Sequence, residues 1–215
     1  MPIKILLTDD HKILREGLKK LLLERDDMEI VGEANDGREA VNIAQQLLPD
    51  IVVMDISMPN LNGIEASKIM LKNNPLIKII ILTINSDKRY LESALKAGVR
   101  GYLLKDCAFD ELITAIKCVN FNKTYISPDI AGLLVENLVL SNQINEKEEK
   151  KLLTQREREI LQLLSEGKST KEISKTLSLS IKTIETHRQQ IMSKLKLFSV
   201  AELTKYAIRE GITSI

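Results

Sequence analysis

IKILLTDD, residues 3–10, is a short apolar run that stops on two acids, Asp9 and Asp10. Three later runs end the same way: DIVVMD (50–55) in Asp55, IIILT (79–83) in Thr83 and GYLLK (101–105) in Lys105. An apolar run of this length, bounded by polar residues, reads as a strand buried on both faces of a parallel sheet. In an open α/β sheet, ligands sit just outside the carboxyl ends of such strands. The four runs therefore predict one rim carrying an acid pair, a third acid, a hydroxyl and an amine. Any one of these residues alone could be a helix cap or a solvated charge. Their joint placement marks a site.

Working outward, strand and helix alternate five times up to about Phe121. Helices are predicted over 12–25, 38–48, 64–73, 88–97 and 109–120, and one further strand over MEIVGEA (28–34). Asp36-Gly37, Asn62-Gly63 and Gly98 punctuate the joins, where positive φ is expected. Alternating βα units with short loops imply right-handed crossovers and a doubly wound, five-stranded parallel sheet. MEIVGEA is the least apolar strand and belongs at an edge, with the Asp55 and Thr83 strands central. A short helix follows over 129–140, then SNQINEKEEKK (141–151), a charged run without apolar periodicity that reads as linker. The predicted organisation is a first domain over 1–122, a linker with a short helix over 123–151, and a second domain over 152–215.

The second domain announces its helices. Thr154-Gln-Arg-Glu157 and Ser169-Thr-Lys-Glu172 both have capping-box form, and Gly167 stands where a helix would end. Ile173 and Leu177 mark one helix, and the turn SLS leads to another with Ile184, Ile191 and Leu195 on one face. A last helix carries Val200, Leu203 and Ala207. Two helices joined by about three residues match a helix-turn-helix, so the second domain is predicted to be all-α with four helices.

The chain has 215 residues, enough for two such domains. Its formal charge of +1 hides an asymmetry. Residues 1–153 hold 20 Lys+Arg against 23 Asp+Glu, a difference of −3, and residues 154–215 hold 11 against 7, a difference of +4. A basic second domain suits a polyanionic partner. The longest aliphatic stretch, Ile79 to Leu82, is far too short to span a membrane. Without a secretory signal at the start, and with Cys107 and Cys118 outside any metal-ligand spacing, the protein is expected to be cytoplasmic, with reduced cysteines serving as small hydrophobes.

Three carboxylates on neighbouring strand ends must either shift their pKa values or be neutralised by a cation. All-oxygen ligands favour Mg²⁺, which keeps waters and bridges carboxylate to phosphate. Lys105 and Thr83 add an ammonium and a hydroxyl for phosphoryl oxygens, with Asp55 as nucleophile. His11 has no second His or Cys near it and reads as a loop histidine.

These residues resemble the receiver domain of bacterial two-component response regulators. The likeness runs over residues 2–121 and rests on Asp9-Asp10, the MDISMPNLNG segment (54–63), Thr83 and Lys105, the last two 22 residues apart. It implies that Asp55 accepts a phosphoryl group from a sensor histidine kinase. It also implies that Asp10, Asp55 and the Ser57 carbonyl hold Mg²⁺, with Asp9 helping through water, and that Thr83 and Lys105 bind phosphoryl oxygens. Tyr102 falls at the family's aromatic switch position, where a partly buried strand tyrosine is the plainer alternative. Ile84, where many relatives carry a small residue, is expected to narrow access. Ser57 occupies a variable position thought to tune phosphate lifetime.

Residues 152–213 resemble the LuxR-type helix-turn-helix of NarL/FixJ regulators. The likeness rests on Thr154, Arg156-Glu157, Gly167, Lys171-Glu172-Ile173, Ser180, Lys182-Thr183-Ile184, His187, Ile191 and Lys194-Leu195. Thr170 replaces an asparagine common in relatives. With Ile184, Ile191 and Leu195 turned inward, Lys182, Glu185, Thr186, Arg188 and Gln189 lie on or beside the outer face. Thr183 and Lys194 join them as candidate DNA contacts. Lysines there would neutralise phosphates, while Glu185, Thr186 and Gln189 are the candidates for reading bases. His187 is assigned to local packing or hydrogen bonding. The apolar face of the last helix is expected to help pair two units on a two-fold DNA site, with completion of its own core as the alternative.

The function this implies is a phosphorylation-switched transcription regulator, homodimeric when phosphorylated and without a membrane partner. The sequence leaves two alternatives. An aspartyl-phosphate phosphatase would need a DxDx[TV] motif, but Ser57 stands where its second acid belongs. A receiver whose tail docks protein is disfavoured by the +4 tail. No GxGxxG or P-loop motif supports a nucleotide enzyme, so no turnover beyond the receiver's own phosphorylation and dephosphorylation is expected.

Overall fold

The computed structural model describes residues 1–84, 87–107, 109–132 and 153–213. The chain divides into two compact units, Met1–Ile144 and Asn145–Ile215. In the first, β1 (Ile3–Thr8), α1 (Lys12–Leu23), β2 (Met28–Ala34), α2 (Gly37–Leu47), β3 (Ile51–Met54), α3 (Gly63–Asn73), β4 (Lys78–Thr83), α4 (Lys88–Ala97), β5 (Gly101–Leu104) and α5 (Phe109–Asn120) alternate as the sequence predicts. With β6 (Tyr125–Ile126), the strands are parallel in the order β2-β1-β3-β4-β5-β6, with β2 at an edge and β3 and β4 in the middle.

Successive residues along the strands point to opposite faces, so the sheet has two cores. Leu6, Val52, Met54, Ile79, Ile81 and Tyr102 face α2, α3 and α4. Ile5, Leu7, Ile51, Val53, Ile80, Leu82 and Leu103 lie on the other side with α1 and α5. Burial on both faces is why these strands read as unbroken apolar runs.

The sheet has one strand more than the five expected. β6 (Tyr125–Ile126) pairs with β5. The Tyr125 N–H bonds to the Arg100 carbonyl at 2.9 Å and the Ser127 N–H to the Tyr102 carbonyl at 3.0 Å. A two-residue strand offers no apolar run to detect, so the sequence alone places this segment in the linker. Residues 128–132 are helical, and Ile130 is buried in the same core as Tyr102. The rest of the helix predicted over 129–140, and the charged run 141–151, lie outside the described residues.

Two glycines have a different reason from the one predicted. Gly98 does end α4 in the left-handed region, at φ 95°. Gly37 and Gly63, however, are the first residues of α2 and α3 and do not have positive φ. A β-carbon on Gly37 would collide with the Leu61 carbonyl oxygen, and one on Gly63 with the Asp55 carbonyl oxygen. Close approach, not turn geometry, requires them. Asp36 and Asn62 cap the two helices through their side chains.

The second unit contains, among the described residues, α6 (Gln155–Ser165), α7 (Thr170–Leu177), α8 (Ile181–Leu195) and α9 (Val200–Arg209). Thr154/Glu157 and Ser169/Glu172 form the predicted capping boxes, and Ser199/Glu202 forms a third that the sequence reading passed over despite its S-x-x-E form. Gly167 follows α6 at φ 79°. The α7–α8 turn is closed by the Leu179 N–H on the Ser174 carbonyl and the Ser174 hydroxyl on the Leu179 carbonyl. Ile160, Leu161, Leu163, Ile173, Ile184, Ile191, Leu203 and Ala207 build one core. Leu203 and Ala207 of α9 are fully buried there and α9 packs on α6. Most of that apolar face thus completes its own core, where pairing of two units was the first expectation.

Candidate functional site

Ladder hydrogen bonds bring the strand ends into one row. The Asp55 N–H donates to the Thr8 carbonyl (2.9 Å), the Asp9 N–H to Ala34 (3.2 Å) and the Lys105 N–H to Thr83 (2.8 Å). Asp9 and Asp55 are buried, while the Asp10 side chain is partly exposed. The Lys105 ammonium lies 2.7 Å from Asp9 Oδ2 and 2.9 Å from Asp55 Oδ2. Asp55 Oδ1 accepts the Ile56 N–H at 2.7 Å. Three of the five predicted groups are thus assembled directly, and a ligand atom of a fourth, Asp10, lies within 4.8 Å of Asp9 and Asp55. The fifth, Thr83, is fully buried at the end of β4, one strand away from Asp55.

The rim is short of positive charge. Burial pushes the Asp55 carboxyl up and the Asp9 charge adds to this, although the Lys105 bond and charge oppose them. Burial works against the Lys105 ammonium, but its bonds to Asp9 and Asp55 outweigh burial and raise it. One ammonium shared by two buried carboxylates, with Asp10 beside them, leaves a place for a cation. Ligand atoms of Asp9, Asp10, His11 and Asp55 lie within 4.8 Å of one another. The carboxylate oxygens are hard donors of the kind Mg²⁺ takes, so the set fits that ion. Ser57, half-buried, follows Asp55 by two residues. His11 does more than the loop role expected of it. Its N–H donates to Asp9 Oδ1 at 2.8 Å, and its Nδ1 lies 2.8 Å from Asp10 and 3.2 Å from Asp9.

Sequence reading missed Arg15, Lys19 and Glu33. Arg15 Nη1 donates to the Asp9 carbonyl at 2.6 Å and its Nε to Glu33 at 3.1 Å, and Lys19 meets Glu33 at 2.6 Å. The available signal was Glu33 itself, a charge next to the end of a strand. Tyr102 is fully buried, and burial pushes its phenol well up. Ile84, by contrast, is 77% exposed beside Thr83.

On α8, Lys182, Glu185, Thr186 and Gln189 are exposed and Arg188 is half-buried. Thr183 is committed to the cap, its N–H on Ser180 Oγ at 3.1 Å and its hydroxyl 2.8 Å from the same atom. The Thr186 hydroxyl donates back to the Lys182 carbonyl. Thr186, Gln189 and Lys194 line a shallow open depression with Gln190 and Ser193. The Lys194 ammonium sits 2.7 Å from the buried Glu157 and joins α8 to the start of α6. His187 is half-buried, with no hydrogen-bond partner for Nδ1 among the described residues.

The response regulator receiver domain model matches residues 5–117, and the model for bacterial regulatory proteins of the LuxR family matches 151–207. The oxygen regulatory protein NreC of Staphylococcus carnosus is 39% identical, over 98% of this chain and 99% of that protein. A LuxR-family response regulator from Aurantimonas sp. is 35% identical with a TM-score of 0.62, over 65% of this chain and 99% of its own. The response regulator RcsB, solved in complex with DNA, is 29% identical with a TM-score of 0.60, over 96% of this chain and 98% of its own. With a receiver and a LuxR-type helix-turn-helix on one polypeptide, the chain belongs to the NarL/FixJ type of two-component response regulators, which are transcription regulators.

Proposed function

We propose that Asp55 is the phosphoacceptor of this regulator and that α8 is its DNA-reading helix. The observation that carries the first part is the Lys105 ammonium bridging Asp9 and Asp55. A carboxylate oxygen of Asp55 attacks the phosphorus of a phosphohistidine on a sensor histidine kinase. A P–O bond forms, the P–N bond breaks, and the imidazole nitrogen leaves to take a proton. Asp10, Asp55 and the Ser57 carbonyl would hold Mg²⁺, with Asp9 acting through water. The ion supplies charge for the transferring oxygens. Lys105 and the Thr83 hydroxyl bind those oxygens in the product, and Tyr102 responds to the movement of Thr83.

On the DNA side, Lys182 and Arg188 contact phosphates, and Glu185, Thr186 and Gln189 read base edges in the major groove. The cap role of Thr183 and the ion pair of Lys194 favour support over direct contact for these two. The phosphorylated chain acts as a homodimer in the cytoplasm. Among the described residues, no helix is long and apolar enough to cross a membrane.

Incubation with a small phosphodonor and Mg²⁺ tests the acceptor. Wild type should gain one acid-labile phosphate and Asp55→Asn none; equal labelling of the two would reject Asp55. Selection from random duplex DNA tests the reader, which fails if no motif is enriched.

A further inference from the structure

Both backbone groups of Asp9 are tied to the end of the edge strand β2. The N–H donates directly to the Ala34 carbonyl at 3.2 Å. The carbonyl receives Arg15 Nη1 at 2.6 Å, and Arg15 Nε is held by Glu33 Oε2 at 3.1 Å. The Arg15 side chain is only 14% exposed, and the other oxygen of Glu33 takes Lys19 at 2.6 Å. Adjacent residues of β2, Glu33 and Ala34, therefore grip the turn that carries two consecutive acids, one of them through a guanidinium. A change in the Asp9 peptide plane would swing the Asp9 and Asp10 carboxylates together.

We infer that Arg15, braced by Glu33, is a positioning residue that fixes the Asp9–Asp10 turn for a divalent cation. The inference rests on the Mg²⁺ pocket proposed above. Arginine suits the task because its planar fork bonds a carbonyl and a carboxylate at once, which the compact ammonium of lysine cannot do in the same geometry. Arg15 touches the Asp9 backbone, so it neither ligates the ion nor meets a phosphoryl group.

Charge and geometry make opposite demands here, and that separates the explanations. The Arg15 guanidinium is a positive charge bonded to the backbone of an acidic rim residue, and such a charge competes with a cation. If charge were its whole role, Arg15→Gln would bind Mg²⁺ more tightly. Loss of an outer-shell partner instead weakens metal binding, typically about 10–100-fold.

Mg²⁺ titration of the full-length chain by calorimetry, with thermal melting alongside, decides the matter. Arg15→Gln should bind Mg²⁺ about tenfold more weakly or worse. Arg15→Lys, which keeps the charge, should also bind more weakly. Arg15→Gln combined with Glu33→Gln should add less than the sum of the two single changes, because the residues act as one unit. Unchanged or tighter binding in Arg15→Gln, or wild-type affinity in Arg15→Lys, overturns the inference whatever the melting temperatures. A wild-type chain that binds no Mg²⁺ sinks the pocket reading itself, which is a different result from a pocket indifferent to Arg15.

Discussion

Lys105 places one ammonium 2.7 Å from Asp9 and 2.9 Å from Asp55, with its side chain 9% exposed. Removing it strands two buried carboxylates, and breaking a buried pair typically costs about 3–5 kcal/mol. Lys105→Ala should therefore melt well below wild type in a chelator. Added Mg²⁺ should narrow the gap, because the ion takes over part of the charge balance. A gap that Mg²⁺ leaves untouched would count against a cation site at this rim. Gly63 makes a steric claim on the same residue. Its missing β-carbon would strike the Asp55 carbonyl oxygen, so Gly63→Ala should lower stability by roughly 1–3 kcal/mol and reduce phosphate incorporation at Asp55. Asp9, Asp55, Thr83 and Lys105 were legible because each ends an apolar run. Arg15 was not, since one of its partners is a backbone carbonyl, which no spacing of residue types records, and the other, Glu33, lies 18 residues later on another element. Lys194 was legible as a basic residue of the reading helix, but its counter-charge, Glu157, lies 37 residues earlier.

Elements announced by periodicity and caps were read well, and those made by pairing alone were not. α4 and α5 begin and end where apolar spacing put them. β6 exists because Tyr125–Ile126 lies against β5, a long-range fact that two residues cannot signal. Its extension is anchored by Ile130, which is 1% exposed. Ile130→Ala should cost the first unit about 2–5 kcal/mol, measured by denaturant unfolding of the whole chain, although sequence alone makes the position linker. A second element-scale prediction concerns the start of α6. Burial alone would raise the Glu157 carboxyl, but the Lys194 ammonium and the Thr154 cap outweigh it and hold the group below its usual range. A lowered folded-state pKa gives stability that is present above the unfolded value, about 4.3, and is lost as pH falls through the folded value. Helical melts of wild type should therefore weaken on acidification through that window. Glu157→Gln should be less stable at pH 7 and show a shallower acid limb.

At the scale of the whole molecule, the −3 and +4 charge division was visible in the sequence and assigned the polyanion to the second unit. The role of the last helix was less visible. Val200, Leu203 and Ala207 share a stripe, but only packing reveals that Leu203 and Ala207 are consumed by the local core while Val200 is 40% exposed. Three substitutions on α8 should separate charge, reading and support in one DNA-binding experiment. Lys182 is exposed, so Lys182→Ala should weaken binding almost equally on all sequences and reduce the slope of log affinity against log salt by about 1. Gln189 is exposed at mid-helix beside Thr186. Gln189→Ala should cost about 1–3 kcal/mol on the selected site and relax preference at one base pair, leaving the salt slope alone. Lys194 already faces Glu157, so Lys194→Ala should lower the melting temperature of the second unit with little change in slope. If Lys194→Ala instead lost a full unit of slope at unchanged stability, Lys194 would be a phosphate contact and its pairing with Glu157 would have to open on DNA.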